Sequence, residues 1–257
     1  MFSTKTIELK SAKEISAMRE AGAIVAATLR LLAQAAQPGV STLELDRLAS
    51  EELARRKAKP AFLGYHGFPG SLCVSINSEV VHGIPSAKRK LAEGDLVSLD
   101  FGCIVSGFYG DAAITVGVGK VTAIAQRLMD VTRQSLAKGI EAMRPDGRLG
   151  DVSFAVQKHC EDAGFSVVRE FVGHGIGRAL HEDPPVPNYG KAGTGLRLSP
   201  GMVLAIEPMV NIGGPEVKTL EDGWTAVTKD GSLSAHFEHT VAIFEDGPEI
   251  LTKDPEV

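Results

Sequence analysis

Four acidic side chains in this 257-residue sequence lie inside or beside its most apolar, strand-like segments. Asp100 ends LVSLD, Asp111 begins DAAITVGVG, Glu207 lies within VLAIEP and Glu238 lies within AHFEHTVAIF. A carboxylate on a buried strand is costly unless a proton or a cation neutralises it. A chain with four such residues must therefore fold so that their charges are neutralised.

Asp100 and Asp111 flank a predicted turn around Ser106 and Gly107. A hairpin centred between residues 105 and 106 pairs the two acids directly, with Cβ atoms about 4.5–5.5 Å apart on one face. Two bare carboxylates at that distance repel each other, whereas two metal ions roughly 3.5–4 Å apart suit the pair. The alternative is that each Asp caps a strand end or a turn, and this applies most to Asp111, which follows Gly110.

The four acids and one histidine make a donor set for divalent metals. His174 lies among glycines, which let the backbone and a ligand approach closely. Such a set is rich in oxygen and nearly free of sulfur, so it suits hard or borderline ions, and two divalent ions balance four negative charges. His159 and His239 are interpreted instead as structural residues.

The order of predicted elements is two helices followed by strands, repeated once. Capping boxes begin two helices, at Ser11 with Glu14 and at Ser41 with Glu44. Helical spacing returns over residues 122–143 and 151–163, and segments typical of strands follow each helical pair. Those in the second half are FSVVREF, GMVLAIEPMV, WTAVTKD and SAHFEHTVAIF.

The two halves also share weak sequence similarity. Residues 91–100 and 198–207 align at an offset of 107, which places Gly94 on Gly201 and Asp100 on Glu207. His-Gly-Ile occurs once in each half. The sequence therefore predicts two related αβ halves whose acids face each other across a pseudo-two-fold axis.

Charge and composition exclude other classes of function. The net charge of −5 and the pI near 5.8 argue against sequence-specific nucleic-acid binding. The segment MFSTKTIELK lacks the pattern of a secretory signal, and Arg30 interrupts the longest apolar run, so no membrane span is expected. Cys103 and Cys160, like Cys73, belong to no CxxC pair. A cytoplasmic protein is expected.

A short basic run has two interpretations. Arg55, Arg56 and Lys57 fall in the last turn of the second predicted helix, where the helix dipole favours cations. The run is therefore typical of a solvated helix end, and contact with RNA or the ribosome is the alternative.

Asp100, Asp111, His174, Glu207 and Glu238, in that order, resemble the metal-ligand pattern of the methionine aminopeptidases. YHGFPGSLCVSINSEVVHGIP, FVGHGIGRALHEDP, LSPGMVLAIEPM and EDGWTAVTKDGSLSAHFEHT are similar to the type I bacterial enzymes. The resemblance implies an α+β pita-bread fold, with two pseudo-symmetric αβ halves around a central antiparallel sheet. It also implies one domain over residues 1–257, a monomer, and removal of the initiator methionine from nascent chains whose second residue is small.

The resemblance also implies residue roles. Asp100 and Asp111 would bind or bridge two divalent ions (Co, Mn, Fe(II), Zn or Ni), His174 would ligate one ion, and Glu207 and Glu238 would complete the shell. Glu207 would also carry a proton from the attacking water to the leaving amine.

Further residues are implied for the substrate. His181 would hydrogen-bond the scissile carbonyl, and His82 would contact the peptide beyond it. The residues implied for the methionine pocket are Tyr65, Phe68, Cys73, Leu180 and Trp224. Ordinary core packing is the alternative for these pocket residues.

Three residues depart from the bacterial pattern. Leu180 replaces a usual Phe and Phe68 a usual Tyr, and both replacements alter the shape of the pocket. His236 replaces a usual Gln, and a strand over residues 235–244 places it on the same face as Glu238, where it would alter hydrogen bonding around the ligands.

Two rival functions use the same fold. Prolidase and aminopeptidase P share the ligand set and cleave Xaa-Pro bonds, but they normally carry a large additional N-terminal domain, and only 36 residues precede Gln37 here. The other rival is a metal-free binding protein, which the five intact ligands disfavour.

Overall fold

Four helices are present in the computed structural model, which describes residues 7–254. They are α1 (Ala12–Ala35), α2 (Thr42–Arg56), α3 (Ala123–Ala142) and α4 (Leu149–Asp162), with a single 3-10 turn at Tyr65–Gly67. Both predicted capping boxes are formed, with the Ser11 and Ser41 hydroxyls accepting from the N–H groups of Glu14 and Glu44. Residues 1–6 of the segment inspected for a targeting signal lie outside the described residues.

Fifteen strands form three sheets in the described part of the chain. They are β1 (Lys59–Pro60), β2 (Leu72–Ile76), β3 (Glu79–Val81), β4 (Leu96–Val105), β5 (Phe108–Gly117), β6 (Ser166–Val167), β7 (Gly173–Gly175), β8 (Glu182–Val186), β9 (Val203–Ile206), β10 (Met209–Asn211), β11 (Val217–Thr219), β12 (Ala226–Thr228), β13 (Ser234–His236), β14 (Glu238–Phe244) and β15 (Gly247–Ile250). The largest sheet has nine antiparallel strands in the order β1-β4-β5-β14-β9-β7-β8, with β2 beside β4 and β15 beside β14. This arrangement confirms the predicted α+β class and the central antiparallel sheet.

The predicted internal repeat is visible in the backbone. Isolated bridges join Ser41 to Lys90 and Arg148 to Arg197, at the same offset of 107 residues. Gly94 and Gly201, which also correspond, both adopt a left-handed φ, of 90° and 88°. The two halves therefore enter β4 and β9 through equivalent turns.

Each helical pair covers its own half of the central sheet. Apolar residues of α1 and α2 pack with β2, β4 and β5, and those of α3 and α4 pack with β9 and β14. In β4, Leu99 and Phe101 are fully buried toward the helices, while Asp100 points to the opposite face. Burial of each such side chain contributes about 1.5–3 kcal/mol, so the helical face anchors the sheet and leaves the other face available for polar groups.

The β4–β5 register differs from the prediction. Val105 pairs with Phe108 across a two-residue turn at Ser106 and Gly107, so Asp100 lies opposite Ala113 and Asp111 opposite Gly102. Direct pairing of the two acids was therefore wrong by two positions. The acids still share a face, because a shift of two residues keeps the strand's alternation.

Three strand predictions in the second half also need correction. Glu207 lies just after β9 rather than within a strand. Phe237 separates β13 from β14, so His236 and Glu238 belong to different sheets rather than to one strand face. FSVVREF contributes only the two residues of β6. In each case long-range pairing, rather than local apolar pattern, decides where the strand ends.

The structure can be compared with two further expectations, the absence of a membrane span and the interpretation of the basic run. Among residues 7–254, no helix combines the length and apolarity needed to cross a membrane. At the end of α2, Arg55 and Arg56 both bind Glu52, at 2.6 and 2.5 Å. These contacts support the interpretation of the basic run as a helix end.

Candidate metal centre and substrate pocket

Two rows of side chains cross one face of the central sheet and bring the predicted ligands together. In the first row, Cys73 pairs with Asp100, Asp100 with Ala113, and Ala113 with Glu238. The small Ala113 lies between the two acids and leaves space above the sheet. Strand pairing therefore places Asp100 and Glu238 on either side of a gap.

The second row contains Asp111 and His174. The Thr240 hydroxyl accepts a hydrogen bond from the Asp111 N–H at 3.1 Å and donates to the Asp111 carbonyl at 2.7 Å. Thr240 pairs with Ala205, and Ala205 pairs with His174. One oxygen each of Asp111 and Glu238 and one nitrogen of His174 lie within 4.8 Å of one another. These three groups can ligate a single metal ion.

Glu207 lies between two imidazoles. Its Oε1 is 3.5 Å from Nε2 of His174, and its Oε2 is 3.7 Å from Nε2 of His236. The Asn188 side-chain amide donates to the Glu207 carbonyl at 2.9 Å and fixes the backbone beyond β9. Nδ1 of His174 donates to the Gly175 carbonyl at 2.9 Å, so Nε2 presents its lone pair to the acids.

Burial and mutual repulsion dominate the electrostatics. Burial, followed by the neighbouring acids, raises the pKa values of Asp100, Glu207 and Glu238 well above their ordinary range. Burial raises the pKa of Asp111 to about 7 and lowers the pKa of His174 to about 3. The carboxylates thus lack sufficient counter-charge within the described chain, and the imidazole is neutral, the form that binds metals.

The donor set fits divalent metal ions. Buried oxygens of Asp100, Asp111 and Glu238 have no hydrogen-bond partner among the described residues. Buried polar atoms are normally satisfied, so these oxygens face a ligand position. Oxygen and imidazole donors match the ions expected from the sequence, and metal binding would displace the protons that the raised pKa values retain.

A cavity of about 270 Å³ opens onto these acids. Its lining includes every predicted ligand and substrate residue: Asp100, Asp111, His174, Glu207, Glu238, His82, His181, Tyr65, Phe68, Cys73, Leu180 and Trp224. The sequence analysis missed Phe62 and His66, which also line it. Phe62 could have been predicted only from being an aromatic residue close in sequence to Tyr65 and Phe68. His159 and His239 do not line the cavity, as expected.

The apolar wall and two further histidines shape this cavity. The rings of Phe68 and Trp224 meet edge to face, with centroids 5.1 Å apart. Tyr65 Oη lies 2.7 Å from Nδ1 of His181. His82 adopts a left-handed φ of 61°, and burial lowers its pKa to about 4. Burial also lowers the pKa of His181, so both histidines are neutral groups at the edge of the pocket.

Metal-free protein should lose stability as the pH rises from about 6.5 to 8. Unfolded histidines, with an ordinary pKa of 6.5, lose their remaining protons in this window and oppose the effect, because the buried imidazoles of the folded chain are already neutral. The raised pKa values of the four buried acids outweigh this contribution. Folded Asp111 keeps its proton up to a pKa of about 7, whereas the unfolded chain loses it near 3.8. The proton therefore stabilises the folded chain below the raised pKa of Asp111, and this stabilisation is lost as the pH rises above it.

Thermal unfolding with a chelator, at pH 6.5 and 8, measures this effect. We expect a lower Tm at pH 8 for wild type and a smaller decrease for Asp111→Asn, and saturating Mn²⁺ should remove the decrease. A metal-free Tm that is flat or rises over this window would contradict the charge arrangement.

The fold and donor set define a metallohydrolase class, built from two related αβ halves around a cluster of acids. The model of metallopeptidase family M24 matches residues 16–245, and the chain belongs to that family. It is 54% identical to a methionine aminopeptidase of Clostridium perfringens, with 96% of this chain and 98% of that protein covered. It is 52% identical to methionine aminopeptidase 1 of Bacillus subtilis, with 95% and 98% covered.

Solved structures agree with this assignment. A methionine aminopeptidase from Thermotoga maritima superposes with a TM-score of 0.96 at 49% identity, with 97% of this chain and 100% of that chain covered. A prolidase from Pyrococcus horikoshii superposes with a TM-score of 0.76 at 22% identity, and the match covers 96% of this chain and 63% of the prolidase. That second likeness concerns the fold alone and confirms the predicted pita-bread architecture.

Proposed function

We propose that this protein removes the N-terminal methionine from polypeptides whose second residue is small, by metal-assisted hydrolysis of the first peptide bond. One observation carries the proposal: the five-residue donor set opens directly into an apolar, partly aromatic cavity. The full-length relatives named methionine aminopeptidases support the same reaction.

Asp100, Asp111, His174, Glu207 and Glu238 would hold two divalent ions, drawn from Co, Mn, Fe(II), Zn and Ni. Bound ions would supply Lewis-acid activation of water and of the substrate carbonyl. Glu207 would accept a proton at its carboxylate and return it to the leaving amine, since this carboxylate lies beside His174 and lines the cavity. Tyr65 Oη lies 2.7 Å from Nδ1 of His181, and with that hydroxyl as the donor the ring proton of His181 would be on Nε2 and could donate to the carbonyl.

The pocket suits an unbranched thioether side chain. Phe68 and Trp224 offer ring edges and faces, and sulfur makes favourable contacts with aromatic rings. Cys73 is buried, and burial raises the pKa of its thiol, so it remains an uncharged wall. Leu180 is also buried and closes the cavity with an aliphatic side chain.

His82 is placed to contact the peptide beyond the cleaved bond. Its ring meets Phe171 at 5.4 Å and Trp224 at 6.2 Å between centroids, both edge to face. The left-handed backbone of His82 lets this ring reach the cavity. We propose that this crowding limits the second residue to a small side chain.

The test is a mixture of Met-Ala, Met-Lys and Ala-Pro peptides, incubated with chelator-stripped protein with and without Mn²⁺ or Co²⁺. Mass spectrometry of the products should show metal-dependent loss of Met from Met-Ala alone. Cleavage of Ala-Pro would instead assign the Xaa-Pro activity of prolidase-like enzymes. No cleavage with either metal would favour a binding protein.

We also propose that the protein acts as a cytoplasmic monomer on nascent chains. Light scattering should then report a single species of 27.2 kDa. Because Glu52 binds Arg55 and Arg56, a contact between this helix end and the ribosome would require those ion pairs to open. We expect Arg55→Gln to leave the binding of purified ribosomes unchanged, and weaker binding would assign this helix end as a contact.

Loss of the Lys10 ammonium should lower kcat/KM about 10- to 100-fold by displacing His181. Lys10 is buried and donates to Glu182 Oε2 at 2.7 Å, and Glu182 Oε1 accepts from the N–H groups of Arg178 and Ala179 at 2.7 and 3.2 Å. This ion pair therefore holds the loop that carries His181.

A double-mutant cycle measures the coupling. Lys10→Met should lower kcat/KM only slightly when it is added to His181→Ala, because the side chain that Lys10 positions is then absent. Lys13→Met, a neighbouring exposed position, is the matched control. Fully additive losses would show that Lys10 acts only on global stability.

A further inference from the structure

His236 is a buried imidazole that the proposed reaction leaves without a role. Its side chain is 2% exposed, and neither ring nitrogen has a hydrogen-bond partner among residues 7–254. A neutral imidazole carries one N–H donor and one lone pair, and buried donors are normally satisfied. The ring therefore needs a partner, and Oε2 of Glu207, at 3.7 Å from Nε2, is the carboxylate oxygen that faces it.

The backbone of His236 is fixed from both sides. The His236 N–H donates to the Thr115 hydroxyl at 2.8 Å, and that hydroxyl donates back to the His236 carbonyl at 2.8 Å. The Thr115 oxygen also lies 2.8 Å from the Ser98 hydroxyl, which must be the donor because the Thr115 proton is already used. The end of β13 is thus tied to β5, the strand that carries Asp111.

The two oxygens of Glu207 face different groups. Oε1 faces Nε2 of His174, which presents a lone pair because Nδ1 donates to Gly175. An oxygen and a lone pair repel each other unless a proton or a cation lies between them, and in the metal-loaded protein the metal would occupy this side of the carboxylate. Oε2 faces His236, which can supply a proton donor.

We propose that His236, with its proton on Nε2, donates to Glu207 Oε2 and acts as a positioning residue that keeps Oε1 directed toward the metal. An approach of less than 1 Å brings the present 3.7 Å separation into the range of a hydrogen bond, roughly 2.7–3.2 Å. This role rests on the proposed function, because it assigns how the proton-carrying carboxylate is oriented.

The direct test is nitrogen NMR of Zn²⁺-loaded protein with ¹⁵N-labelled histidine. The resonances of His236, assigned by their loss in His236→Gln, should show a protonated Nε2 and an unprotonated Nδ1. A proton on Nδ1 would overturn the proposal. This readout does not depend on peptidase activity.

Two variants test the consequence for the metal and for turnover. His236→Leu fills a similar volume without a donor, and should weaken Zn²⁺ affinity in calorimetry and lower kcat on Met-Ala peptides, each about 10- to 100-fold, with KM nearly unchanged. His236→Gln supplies an amide donor and should restore most of both. His159→Leu also removes a buried imidazole nitrogen without a partner among the described residues, but away from the cavity, and should match wild type.

The outcomes separate this proposal from the proposed function. Wild-type metal affinity and kcat in His236→Leu, or equal losses in His236→Gln and His236→Leu, would overturn the positioning role. If wild-type protein binds Zn²⁺ but releases no methionine, the proposed function fails, while the tautomer and the metal affinities still decide the role of His236.

Discussion

Glu207→Gln should lower kcat on a Met-Ala peptide by about 10²–10⁴-fold, the range typical of losing a general acid–base group. The amide keeps the size of the side chain but can neither accept the proton of the attacking water nor deliver one to the amine. Because the apolar pocket is untouched, KM should change far less than kcat. Steady-state kinetics at saturating Mn²⁺, with metal content measured in parallel, give both values.

Glu216→Gln is the matched control, since Glu216 is an exposed carboxylate outside the cavity. It should behave as wild type. If Glu207→Gln retained full turnover with metal bound, another group would have to carry the proton, and the role assigned to Glu207 would be wrong.

Asp111→Asn should abolish measurable activity by removing the metal. The substitution removes a charged oxygen donor, and even the loss of an outer partner of a metal ligand costs 10–100-fold in affinity, so a direct ligand should cost at least about 100-fold. The backbone at this position is clamped by Thr240, so the fold should survive. Metal analysis after dialysis measures the loss of metal. Activity assays with excess Mn²⁺ then show whether added metal restores turnover.

In the metal-free protein, the same substitution should be stabilising. Removing one of four buried acids relieves repulsion, so metal-free Asp111→Asn should unfold at a higher temperature than metal-free wild type at pH 8. Asp130→Asn, on α3, removes an acid outside the cavity and serves as the control for both measurements. Normal metal content in Asp111→Asn would contradict its assignment as a ligand.

The sequence predicted those features that depend on local signals. The capping boxes at Ser11 and Ser41 define helix starts because their hydrogen bonds span only three residues. The acids of β4 and β5 were correctly expected on one face, even though the pairing was wrong by two positions, because alternation along a strand survives an even shift. The positive φ angles of Ser106 and Gly107, 52° and 82°, set the two-residue turn that decides the register.

Other features depend on contacts between distant residues, and no local pattern contains them. Phe237 separates two sheets, and this break turns His236 toward Glu207 rather than along the Glu238 strand. Lys10 and Glu182 are 172 positions apart, and their ion pair forms only when the segment before α1 approaches the start of β8. Both contacts are therefore set by packing and not by local sequence.

The central claim is that the acids and His174 hold divalent metal where the apolar cavity meets the sheet. The most direct test is an anomalous difference map from crystals of the protein grown with Mn²⁺. We predict two peaks among the five side chains, with at least one within bonding distance of Asp111, Glu238 and Nε2 of His174. A map with no peak in this position, or with Mn²⁺ only elsewhere on the protein, would contradict the claim.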